Sequence, residues 1–104
     1  MHFGEVMRLI VVYIGKAGIT VDGHANYEEP GKDIICAAVS VLAQNLIRSL
    51  ESLTHDAVKY RIKPGHIDIE YGNLSEHGKV LVDSFFIGIV SIKEAYGDEY
   101  VQID

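Results

Sequence analysis

The 104-residue sequence has one cysteine, two prolines and only 9 basic residues against 15 acidic ones. A lone thiol, Cys36, cannot form an intrachain disulfide, and a thioredoxin-type redox centre would need a second cysteine. Reduced cysteine is usual in the cytoplasm, which is the expected location. There is no Cys-x-x-Cys pair and no His-x-x-x-His spacing, so no metal site is expected. The glycines match neither the P-loop nor the dinucleotide fingerprint, so nucleotide chemistry falls away and no cofactor is expected. Lysines and arginines never cluster, and the formal charge is -6, which argues against direct contact with nucleic acid. The longest early apolar run, Leu9 to Ile14, falls well short of the ~20 residues of a membrane span and lacks a signal peptide's cleavage site. No membrane partner is expected.

What is present is an ordinary globular composition, 48% hydrophobic and 23% charged, without low-complexity tracts. That length makes one domain with one modest core. A β-branched run over residues 7–14, the breaker Gly15-Lys16-Ala17-Gly18 and the renewed run Ile19-Thr20-Val21 predict a hairpin ending at Gly23-His24. Residues 25–32, with Asn26, Pro30 and Gly31, predict an irregular loop. Asp33 offers a helix N-cap, and Ile35, Val39, Leu42, Leu46, Leu50 and Leu53 recur at helical spacing over residues 34–53. Ala37, Ala38, Val41 and Ile47 broaden the apolar side, enough for a sheet on one flank and a second helix or second subunit on another.

A second hairpin is predicted about Pro64-Gly65, where proline presets the first corner and glycine takes the positive φ of a type II turn. Registered on that turn, Arg61 faces Asp68 and Lys59 faces Glu70, while Ile62 faces Ile67 and Tyr60 faces Ile69. One solvated face and one buried face follow. Ser75 caps a second helix that runs through Val82, Phe85, Phe86, Ile89, Val90 and Ile92 to a stop at Gly97, and Tyr100 to Ile103 forms a short last strand. The expected fold is α+β, a two-layer α/β sandwich of order ββαββαβ, with a mostly antiparallel sheet and two helices on one face.

Within this frame Cys36 falls in the first turn of the long helix, if Asp33 is the cap. Unsatisfied N–H groups and the macrodipole favour an anion there. Helix starts and neighbouring imidazolium groups bring a thiol from ~8.5 down to ~3.5–7.5. The same N–H groups can also receive the oxyanion of an attacked carbonyl. A free cysteine is, however, most often a small packed hydrophobe. His24 ends the strand just before that helix and can act as its base, or it is an exposed strand-end histidine. Asp33 can orient the imidazole, although capping already accounts for it. Ser40 shares the face of Cys36 one turn on, suited to lining a peptide groove or to bonding back to the preceding turn. Ala37 would let an extended substrate approach, or a neighbouring element pack. His55, His66 and His77 follow a helix, sit in a turn and start a helix, and none joins a motif.

Taken together, Gly23-His24-Ala25 and Gly31-Lys32-Asp33-Ile34-Ile35-Cys36-Ala37-Ala38-Val39-Ser40 resemble the bacterial ribosomal-processing cysteine protease family. The resemblance covers residues 7–103, nearly all of a single domain over 7–104. Residues 1–6 are expected to be a disordered extension. What the resemblance implies is a homodimeric cysteine endopeptidase that removes a short N-terminal extension from the large-subunit ribosomal protein numbered twenty-seven. His24 and Cys36 carry over as the catalytic dyad, with Gly23, Asp33, Ala37 and Ser40 in supporting or substrate-binding places. An acidic surface suits a basic ribosomal substrate, and the loop over residues 25–32 is expected to move when peptide binds. The competing readings are a noncatalytic ribosome-associated dimeric assembly module and a thiol redox sensor. An assembly module has no chemical need for His24 beside Cys36, and the family resemblance weighs against the redox sensor.

Overall fold

In this computed structural model residues 10–23 and 30–104 are described, the side chains of 30–33 excepted. The segment 1–6 and the histidine at 24 therefore lie outside the described residues. Five strands and two helices follow in the order β1 (Ile10–Ile14), β2 (Gly18–Asp22), α1 (Pro30–Leu53), β3 (Val58–Lys63), β4 (His66–Tyr71), α2 (Glu76–Tyr96) and β5 (Val101–Ile103). The expected ββαββαβ α+β architecture is the one observed. What the sequence left open was the strand order, β3-β4-β2-β1-β5. The two hairpins join through an antiparallel β2–β4 pairing, and β5 adds to β1 in parallel. That last crossover passes through α2.

Alternation along the strands separates the faces. Val12, Ile19, Val21, Ile67, Ile69 and Val101 point inward and are buried, whereas Tyr13, Thr20, Asp22, Asp68 and Glu70 take the opposite face. α1 covers the apolar face with Ile35, Val39, Ala43, Leu46, Ile47 and Leu50, all within 3% of full burial. α2 adds Phe85 and Ile89 to the same core. Where the helices cross, a Cβ on Gly88 would come within 2.8 Å of Leu42, so glycine allows the close approach. By length and composition alone Ile34–Leu53 is apolar enough to span a bilayer. Here its apolar stripe is spent on the sheet.

The Pro64-Gly65 turn sets the register anticipated for it. Gly65 has φ 76°, and the pairs Lys59↔Glu70, Tyr60↔Ile69, Arg61↔Asp68 and Ile62↔Ile67 all form. One expectation fails on β3: Tyr60 is 49% and Ile62 47% exposed, although their partners on β4 are buried. β3 is an edge strand, and although α1 reaches part of it, Tyr60 and Ile62 are left about half uncovered. Val41 at 65% and Leu53 at 67% likewise face out, since they lie off the stripe that meets the sheet.

A second difference concerns the start of α1. The helix begins at Pro30, so Pro30, Gly31 and Lys32 are helical rather than loop. Asp33 lies inside the helix and is not its N-cap. Proline explains the earlier start, because its fixed φ suits the first helical position and its missing N–H has no intrahelical acceptor there to lose. α2 begins as expected: the Ser75 side chain accepts from the Gly78 N–H at 3.1 Å, and the Asp56 carboxylate accepts from the Ser75 hydroxyl at 2.9 Å.

Candidate active site

Three elements meet at one end of the sheet: the last residues of β2, the N-terminal half of α1 and the β3–β4 turn. They enclose an open, mainly apolar cleft of about 450 Å³ whose walls include Gly23, Cys36, Val39, Ser40, Ile62 and His66. Cys36 is partly buried, packed against the core from α1, and it lines the cleft. Ser40, one turn further, lines the same cleft, and its hydroxyl accepts from Gln44 Nε2 at 3.1 Å rather than bonding to the preceding turn. The chain therefore brings together Gly23, Cys36 and Ser40. Ala37 is exposed and is not among the residues lining the cleft.

Gly23 is held on both sides. Its N–H donates to the Gly65 carbonyl at 2.9 Å, and a Cβ there would sit 3.0 Å from the Cα of Ile10. The strand end thus lies close against β1 and the β3–β4 turn, and the chain leaves this fixed point directly into His24.

The early start of α1 changes the electrostatics expected at the cysteine. Cys36 lies in the second turn, about 9 Å along the axis from Pro30 at 1.5 Å per residue. Macrodipole effects fall off within the first turn, and the donors left without intrahelical acceptors belong to Gly31 and Lys32 rather than to Cys36. An imidazole partner therefore matters more to a thiolate here than the helix terminus does.

Sequence reasoning missed His66. By sequence it is a turn residue outside any motif, yet its Nδ1 lies 3.2 Å from Asp22 Oδ1 and its Nε2 2.9 Å from Asp68 Oδ2. The hydrogen bond to Asp68, then that to Asp22, raises the His66 pKa above its ordinary 6.5. The same bond from His66 lowers the Asp68 carboxyl below its ordinary 3.8. Asp68 was legible from the turn register, but Asp22 was not, because only the β2–β4 pairing places Asp22 opposite His66. Ile62 escaped for a related reason: as an expected core residue it offered no sign of lining a cleft.

An α+β domain with its single cysteine on the wall of an open apolar cleft has the arrangement of a small thiol enzyme. A family model described as cysteine protease Prp matches residues 14–102, and the chain belongs to that family of cysteine proteases. The ribosomal processing cysteine protease Prp of Staphylococcus aureus strain Mu50 is 24% identical over 83 residues, 77% of this chain and 78% of that protein. Two crystal structures of the essential ribosomal processing protease Prp from S. aureus share the fold. One, in complex with a substrate peptide, gives a TM-score of 0.79 at 18% identity over 92% of this chain and 96% of that chain. The other, in complex with a covalently linked product peptide, gives 0.76 at 19% over the same shares.

Proposed function

We propose that this chain is a cytoplasmic cysteine endopeptidase in which Cys36 is the nucleophile and His24 its base, and which removes a short N-terminal extension from the large-subunit ribosomal protein numbered twenty-seven. The observation that carries the reading is the position of Cys36. The molecule's one thiol lines an open apolar cleft beside Gly23, the residue that precedes His24. Membership of the protease family supports it, as do the processing role named for the S. aureus relative and the peptides bound in its structures.

In this mechanism the Cys36 thiolate attacks the scissile carbonyl and forms a tetrahedral intermediate. The imidazolium of His24 protonates the leaving amine, and a water activated by the same imidazole then hydrolyses the thioester. The apolar walls, Val39 and Ile62 among them, receive a bulky apolar side chain of the peptide, and Ser40 offers a polar contact at the rim. The net charge of -6 favours a substrate drawn from a basic protein and gives nucleic acid no direct role. Val41 on α1 and Val80 and Ile87 on α2, all exposed, offer apolar surface for the second copy of a homodimer.

Cleavage of a peptide spanning the ribosomal protein's N-terminal extension, followed by mass spectrometry, tests the proposal. The native chain is expected to cut at one site, and folded Cys36→Ala and His24→Ala variants to leave the peptide whole. Binding without cutting by the native chain would overturn the dyad and favour an assembly module.

A further inference from the structure

His66 stands between two carboxylates at the point where the cleft, the end of β2 and the β3–β4 turn converge. An ionised carboxylate can only accept hydrogen bonds, and each ring nitrogen of His66 faces one: Nδ1 faces Asp22 and Nε2 faces Asp68. Both contacts are bonds only if both nitrogens carry a proton, so the geometry fits the imidazolium. Neutral imidazole has one donor, and one of the two contacts would become oxygen facing a lone pair. Asp68 is itself oriented, since Thr20 Oγ1 donates to its other oxygen at 3.2 Å.

The linkage crosses strands at a chosen place. Asp22 and His66 are direct partners in the β2–β4 ladder, and the next contact outward is the Gly23 N–H to the Gly65 carbonyl. We propose that His66 is a positioning residue, an imidazolium clamp between Asp22 and Asp68 that fixes the end of β2, and with it Gly23, on the wall of the cleft that Cys36 also lines. Among the described residues, the ionisable groups around it on this face are Asp22 from β2, Asp68 from its own strand, Lys63 and Arg61 from β3, and Tyr13 from β1. The helices lie on the other face and bring none. The two carboxylates bond the ring directly, whereas Lys63 is its cross-strand neighbour and Arg61 that of Asp68. The consequence for cleavage rests on the assignment of Cys36 and His24, but the clamp itself does not.

Nitrogen NMR of the His66 ring and amide exchange at Gly23, corrected for the intrinsic dependence of exchange on pH, test the clamp in the unliganded chain. Near neutral pH the ring is expected as imidazolium, and Gly23 protection should fall as His66 loses its proton at higher pH. His66→Gln, which can keep one contact and cannot titrate, should show lower protection that no longer varies with pH. Asp22→Asn, at a residue with a 66% exposed side chain, gives a second variant that keeps the fold and should also lower Gly23 protection. In peptide cleavage, His66→Gln should lower kcat by roughly tenfold, whatever its place on the cleft wall does to KM, because small misplacements of reacting groups cost rate on this scale. A ring that is mostly neutral at about pH 6.5, where an ordinary histidine is half protonated, overturns the proposal. So does Gly23 exchange that is the same in native chain and both variants. A native chain that leaves the peptide whole counts against the dyad and not the clamp, which the ring and Gly23 judge alone.

Discussion

Ile62 gives a quantitative test of whether the cleft beside Cys36 receives peptide. Its side chain is 47% exposed, so about half its apolar surface is already buried by the fold and about half remains for a ligand. Complete burial of an isoleucine side chain stabilises by ~1.5–3 kcal/mol, so each half is worth ~1 kcal/mol. Ile62→Ala should therefore lower folding stability by ~1 kcal/mol and weaken peptide binding by a similar amount, about fivefold in KM at the usual tenfold per ~1.4 kcal/mol. Contact made equally in ground state and transition state leaves kcat unchanged, so kcat/KM should fall by about the same factor. Tyr60→Ala is the control: Tyr60 lies on the same strand and face, is 49% exposed, and is not among the residues lining the cleft. Steady-state cleavage of the extension peptide, with urea denaturation of each variant, separates the two effects. Equal KM for native chain and Ile62→Ala, or an equal rise in Tyr60→Ala, would refute the cleft as the peptide's seat.

Two further outcomes follow from the fold. Gly18→Ala should destabilise by ~1–3 kcal/mol in urea titration, because its Cβ would run into the backbone carbonyl of Ile69 in the β2–β4 ladder, where no flexible side chain can yield. Stability should also depend on pH through the His66–Asp68 pair. The His66 pKa is raised in the fold, so its contribution is complete below 6.5 and is lost as pH rises through the raised value. The Asp68 pKa is lowered, so its contribution is present above 3.8 and is lost as pH falls through the lowered value. The stability gap between native chain and Asp68→Asn, read from thermal melts, should thus be widest between those two values and narrow on either side. A gap that does not vary with pH would contradict this.

The sequence by itself determined the elements and placed the cysteine on α1, because those rest on short-range physics. Periodicity marks the buried stripe of α1, Ser75 and Gly97 mark the ends of α2, and Pro64-Gly65 sets a hairpin register in which every anticipated pair forms. The motif around Cys36 carried the family, which the match over residues 14–102 bears out. Even at short range one signal misled: Asp33 is a good cap residue, but Pro30 suits the first helical position, and the helix starts there. Only the tertiary structure decided that β2 lies beside β4, and from that pairing come both the cleft and the Asp22–His66–Asp68 linkage. Nothing local to Asp22 records that a histidine 44 residues away will face it. Nor does the alternation of β3 reveal that the strand ends up at the sheet's edge, with Ile62 left half uncovered on the wall of the cleft. Side-chain pattern fixes which face of a strand is apolar, but the order of strands, settled by the packing of the whole sheet against two helices, fixes what that face meets.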